Sequence, residues 1–172
     1  MAGWMQFKID NVMKKTAKDF VNKFKKNDFG KLDYSPKSLL ILDRILDMMK
    51  EYGATTSYLE SCDELWFPGS YLGEVVRKQT GGDWIGISEF YSLNQSSPIR
   101  LLKIGDYYTS PISEIAWKLD IGPENRFMLY YQLVTNEVLT VNASLKNKVK
   151  VDHSVFLFLF PEYFMNQIIK YR

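Results

Sequence analysis

Apolar residues recur along much of this chain at the spacing of amphipathic helices, broken by stretches that alternate or run apolar as strands do. Met13, Ala17, Phe20, Val21 and Phe24 fall on one helical face, Phe7 and Trp4 extend the stripe, and a helix is predicted over about residues 5–26. Residues 27–35 form a short connection. Ser35 then reads as an N-cap, with Pro36 in the first helical position, where the missing N–H costs nothing, and Tyr34 and Leu39 at the positions of a hydrophobic staple. This helix extends to about Tyr52, and Gly53 can close it in the left-handed conformation. Leu39, Leu42, Ile45, Leu46 and Met49 make its inner face. Leu40, Ile41 and Met48 broaden that face until only Asp43, Arg44, Asp47, Lys50 and Glu51 stay outside, which predicts a helix central to the core.

A helical turn over 56–65 is suggested by Ser57 and Glu60 at capping-box spacing. A longer helix from Pro68 to Gln79 follows, with Leu72, Val75 and Val76 inward and Gly81 past its end. Gly69 and Gly73 lie one turn apart in it, each at about 1 kcal/mol of helix propensity relative to Ala, so close approach of another segment is expected there. Residues 84–91 read as a strand, 92–98 as a polar loop and 99–104 as a second strand, which Gly105-Asp106 turns into Tyr107–Thr109 as a two-residue hairpin. Ser110-Pro111 opens a capped helix carrying Ile112, Ile115, Ala116 and Leu119. Gly122 ends it, and Pro123 starts another with Phe127, Tyr130, Tyr131 and Val134 inward. Leu145 to Val151 alternates with Lys146, Lys148 and Lys150 in the manner of a guarded sheet edge; Val155–Phe160 reads as a buried strand and 161–171 as a terminal helix. The expected fold is α+β: N-terminal helices packed with a small, mostly antiparallel sheet around a single-layer core. The 172 residues read as one domain, with a basic amphipathic helix over about 5–26, a core over about 30–135 and a β/α extension over 136–172.

Composition narrows the function classes. With 46% hydrophobic and 24% charged residues the chain is neither disordered nor low-complexity, and one cysteine, Cys62, makes no internal disulfide. No basic region leads into an apolar run at the N-terminus and no apolar stretch nears about 20 residues, so a cytoplasmic protein without a transmembrane segment is expected. The net charge of +2 conceals an uneven distribution: residues 1–26 hold seven lysines against Asp10 and Asp19, leaving the rest mildly acidic. That basic helix is either an ordinary surface helix, with its aromatic stripe on the core, or a docking element for a membrane surface or a nucleic acid.

Catalytic motifs are sparse. His153 lies far from Cys62 in the chain and sits in a turn-like Asp152-His153-Ser154, and neither has a recognisable motif around it. One His and one Cys cannot supply a three- or four-ligand metal site, and there is neither a phosphate loop nor a dinucleotide fingerprint, so no metal and no cofactor are expected. Glu74, beside Gly73 and three residues before Arg77, is the most interesting acid. Its plain reading is an i, i+3 ion pair of about 0.2–0.5 kcal/mol; its functional reading is contact with a ligand over a closely packed helix. Asp63 and Glu64 could join it as a carboxylate pair. The aromatics Trp66, Phe67, Tyr71, Trp84, Tyr107, Tyr108 and Trp117 are core fillers or, for a minority, a partner patch.

Three stretches carry a resemblance. Leu32-Asp-Tyr-Ser35 running into Leu42-Asp43, Tyr71-Leu-Gly-Glu74 with Gly81-Gly-Asp-Trp84, and Pro111 through Lys118-Leu-Asp-Ile-Gly-Pro-Glu124 resemble, in order and spacing, a family of small uncharacterised bacterial proteins. The likeness spans about residues 30–135 and implies a stand-alone bacterial cytoplasmic domain, with no activity to carry over. The expected function is a non-catalytic module binding another protein, with an immunity-like or toxin-neutralising role as one version, through Tyr71, Glu74 and Trp84. Two alternatives stand beside it: a carboxylate enzyme using Glu74 with Asp63 or Glu64, and docking through the basic helix.

Overall fold

The computed structural model describes residues 2–26, 28–62, 64–86, 100–105, 107–120 and 126–145. Among them are six α-helices and a three-stranded antiparallel sheet, an α+β arrangement. The helices are α1 (Ala2–Lys23), α2 (Leu39–Glu51), α3 (Thr56–Ser61), α4 (Trp66–Thr80), α5 (Pro111–Asp120) and α6 (Arg126–Leu145); the strands are β1 (Asp83–Gly86), β2 (Arg100–Ile104) and β3 (Tyr107–Thr109). The order in the sheet is β1-β2-β3, with Trp84 opposite Leu102 and Leu102 opposite Thr109.

Chain punctuation sets most of these boundaries. Gly53, Gly81 and Gly105 have φ of +87°, +74° and +60°: they end α2, end α4 and open the β2–β3 turn, as the sequence predicts. Pro36 begins a 3-10 turn, Pro36–Ser38, and the α-helix proper starts at Leu39. The cap of α3 is Thr55, whose hydroxyl accepts from the Tyr58 N–H, and not the predicted Ser57. Leu145, expected to begin a strand, is the last residue of α6, so residues 136–145 continue a helix; Val151, Val155–Phe160 and the terminal helix lie outside the described residues.

The hub of the core is α4, which packs against α1, α5, α6 and β2 and is buried continuously from Pro68 to Val76. The centre was expected at α2. Its apolar face is wider in sequence, but Leu40 reaches solvent, whereas the two glycines of α4, one turn apart on one face, let neighbours close on that helix. A Cβ on Gly69 would stand 2.6 Å from Ile112 Cγ1 and 2.9 Å from Ile112 Cα, and one on Gly73 2.1 Å from Trp84 Cζ2. The expected close approach is therefore made by the first turn of α5 at one glycine and by an indole at the other.

Candidate functional site

Tyr71 and Glu74 lie three residues apart on α4, and Trp84 comes back onto that helix after the left-handed turn at Gly81. The indole lies over Gly73, and its Nε1–H donates to Glu74 Oε1 at 2.9 Å. Arg77 grips the same carboxylate with two bonds, Nε to Oε1 at 2.8 Å and Nη2 to Oε2 at 2.9 Å. The bond to Glu74 holds the Arg77 guanidinium above its ordinary pKa, against the opposing effect of burial. The Trp84 backbone N–H donates to Asp10 Oδ1 at 3.0 Å, so one knot ties α1, α4 and β1. At Tyr71 the hydroxyl accepts from the Tyr34 N–H at 3.1 Å and shares a bond with Ser38 Oγ. Ser38 donates its own proton to the Ser35 carbonyl, so Tyr71 is the donor to Ser38. Burial pushes the Tyr71 phenol up to about 12.

The structure thus brings Tyr71, Glu74 and Trp84 together, but indoors: their exposures are 0%, 3% and 0%. Trp84 bonds directly to Glu74, the Tyr71 hydroxyl bonds to Tyr34 and Ser38, and all three side chains are covered by the core. The Glu74–Arg77 pair forms as predicted, with the carboxylate buried instead of on the surface. Glu64 is engaged elsewhere, accepting from Lys23 Nζ at 2.8 Å at the molecular surface. It lies in the turn before α4, while Glu74 lies within that helix and is bound by Arg77 and Trp84. Asp63 and His153 lie outside the described residues, and Cys62 is exposed, its thiol donating to the Tyr58 carbonyl at 3.2 Å. Among the aromatics, Trp66, Phe67, Tyr108 and Trp117 are half-buried. No group of three or more His, Cys, Asp or Glu among the described residues is placed to hold a metal ion.

Sequence reasoning put Asp43 and Asp47 on the outer face of α2. Asp43 is in fact buried at 3% exposure, facing a fully buried lysine, Lys118 of α5. The ammonium stands 3.4 Å from Asp43 Oδ1 and 2.8 Å from Asp47 Oδ1. Burial raises the Asp43 carboxyl to about 6; the nearby Lys118 charge and the Phe127 backbone N–H at the start of α6 oppose that rise, and Asp47 adds to it. Deeper in the same region the Tyr130 hydroxyl meets Thr109 Oγ1 at 2.8 Å, and burial together with the Glu114 charge raises its pKa. The available signal was positional: Asp43 falls four after Leu39 and three before Leu46, and Lys118 three after Ile115, all on apolar stripes.

The basic helix resolves into two faces. Met13, Ala17 and Phe20 are buried against the body, and Ile9, Val21 and Phe24 are partly so. The opposite face exposes Lys14, Lys15 and Lys18 with Asn11 and Asn22 between them, within an arc of about 100° at 3.6 residues per turn. Lys25 and Lys26 continue this exposed surface in the turn beyond the helix. Among the described residues the side chains of these five lysines make no hydrogen bond or ion pair, and Val12 adds an exposed apolar side chain at the edge of the face. The side chains of Trp4 and Phe7 lie outside the description. No helix among the described residues is long and apolar enough to cross a membrane. Compared with known proteins, the chain matches no family model, no curated protein and no solved structure.

Proposed function

We propose that this protein is a non-catalytic binding module of the bacterial cytoplasm, and that it docks an acidic segment of another protein on the lysine face of α1. One observation carries the reading: three lysines on a helix whose other face is locked into the core, and two more in the turn after it, are exposed and have no side-chain ion pair among the described residues. A pre-organised charged surface of this kind raises encounter rates with an oppositely charged partner and sets its orientation. The burial of Met13, Ala17 and Phe20 weighs against membrane docking, because a surface-seeking amphipathic helix uses its apolar face for insertion, and here that face is occupied. Among the described side chains of α1 the exposed set contains no aromatic ring, the group that stacks on unpaired bases. Exposed Val12 adds the kind of apolar contact a protein interface includes.

The test titrates the full chain with a fluorescent 20-residue polyglutamate, a 20-base-pair duplex DNA and phosphatidylserine vesicles at about 0.15 M salt, where screening sets in beyond roughly 8 Å. Polyglutamate binding that is lost in the triple variant Lys14→Glu, Lys15→Glu, Lys18→Glu, with an unchanged circular dichroism spectrum, is the expected result. Binding to DNA or vesicles in preference to polyglutamate, with the same loss on charge reversal, would replace the protein partner with that polyanion. Equal polyglutamate binding by wild type and variant sinks the assignment of the surface.

A further inference from the structure

We infer that Asp43, Asp47 and Lys118 form a proton-sensitive latch at the junction of α2, α5 and the start of α6, held tighter when Asp43 is neutral than when it is ionised. The geometry is two carboxylates around one ammonium in a mostly water-free place. Lys118 is 2% exposed and takes its short contact, 2.8 Å, with Asp47, whose side chain is 47% exposed and therefore solvated on its other side. Asp43 is the excess member: it stands off at 3.4 Å, and among the described residues no donor, the Phe127 N–H and Lys118 included, reaches either of its oxygens with full hydrogen-bond geometry. With both acids ionised the cluster carries one negative charge more than Lys118 balances, on the carboxylate least able to reach water. Placing a proton on Asp43 removes that charge and leaves Lys118 its better partner.

The groups acting on Asp43 are Lys118 from α5, Asp47 on its own helix and the Phe127 N–H from α6. Glu114, one turn before Lys118, acts on Tyr130. Because burial raises the Asp43 carboxyl in the folded protein from 3.8 to about 6, the folded state holds its proton over a range where the unfolded chain has lost it. The stabilisation from that proton is complete below about 3.8, declines as pH rises and is gone above about 6. The latch therefore tightens on mild acidification. It is independent of the lysine face of α1 and of any partner bound there.

The experiment follows the Asp43 carboxyl carbon by NMR from pH 3 to 8 in the full chain, alongside amide exchange at Phe127–Tyr131, in wild type, Asp43→Asn and Asp47→Asn. In wild type the expected midpoint is near 6. In Asp47→Asn it falls by about one unit or more, because Lys118 then answers to Asp43 alone. Protection in the first turn of α6, corrected for intrinsic exchange, rises several-fold between pH 7 and pH 5 in wild type and stays level in Asp43→Asn. A wild-type midpoint near 3.8, a midpoint indifferent to Asp47→Asn, or protection that does not follow the Asp43 titration overturns the inference. The wild-type and Asp47→Asn titrations decide it even if Asp43→Asn folds poorly.

Discussion

Glu74 accepts three hydrogen bonds, from one indole and one guanidinium, at 3% exposure, and its energetic weight follows from that environment. On an open helix surface the same Glu–Arg spacing contributes about 0.2–0.5 kcal/mol. Here the substitution Glu74→Gln keeps an acceptor for Trp84 Nε1 but leaves the partly buried Arg77 without its counter-charge. Removing one member of a fully buried pair costs about 3–5 kcal/mol, and because the Arg77 side chain is 22% exposed, part of that is recovered by hydration. Urea unfolding should therefore place Glu74→Gln about 1–3 kcal/mol below wild type. A loss within 0.5 kcal/mol, about the upper limit for a surface pair, would mean that the carboxylate is solvated in solution.

The close packing of α4 makes a second, geometric prediction at the level of elements. Gly73→Ala gains about 1 kcal/mol of helix propensity but drives a methyl to 2.1 Å from one indole carbon and 2.2 Å from another. The indole is pinned by its own bond to Glu74 and by the backbone bond of Trp84 to Asp10, so it cannot swing away cheaply. Overpacking of this kind costs about 1–3 kcal/mol, and a net loss of stability with a change in tryptophan fluorescence is expected. Gly81→Ala serves as a comparison: nothing lies within 4 Å of the added methyl, and only the φ of +74° is strained, so it should cost less and leave the Trp84 emission alone. A Gly73→Ala variant as stable as wild type would remove the close approach as the reason for the glycine. The need for it was legible because two helix-breaking residues one turn apart demand an explanation that local propensity cannot supply. What the glycines accommodate was not legible, since Ile112 and Trp84 reach α4 through the tertiary fold. The same limit applies to Asp43. Its place on the apolar stripe was visible in the spacing of Leu39 and Leu46, but its partner Lys118 lies on another helix far along the chain, and without a partner in view a charged residue defaults to the surface.

For the whole molecule, the net charge of +2 is a poor description of what a partner meets. Seven lysines against two aspartates give residues 1–26 a charge of +5, and the remainder carries −3. Attraction between these parts could have been what holds α1 in place, but the contacts are of another kind. Met13, Ala17 and Phe20 are buried to 1% exposure or less, and Phe20 sets its ring 5.6 Å from that of Tyr71. Polar ties from α1 to the body include the exposed Lys23–Glu64 pair, the Asp10 bond to the Trp84 N–H and a weak Ser70 hydroxyl contact with Met13 sulfur at 4.0 Å. An exposed pair contributes about 0–1 kcal/mol and is weakened by salt, whereas apolar burial is not. Cohesion and surface charge should therefore separate when ionic strength rises. Between about 0.05 and 0.5 M sodium chloride the screening length shortens from roughly 14 to 4 Å. Over that range the urea unfolding free energy should move by no more than about 1 kcal/mol, while affinity for polyglutamate on the α1 face should fall on the order of tenfold or more. If stability falls in step with affinity, the lysines are holding the helix to the body and are not free for a partner, and the docking surface must be sought elsewhere.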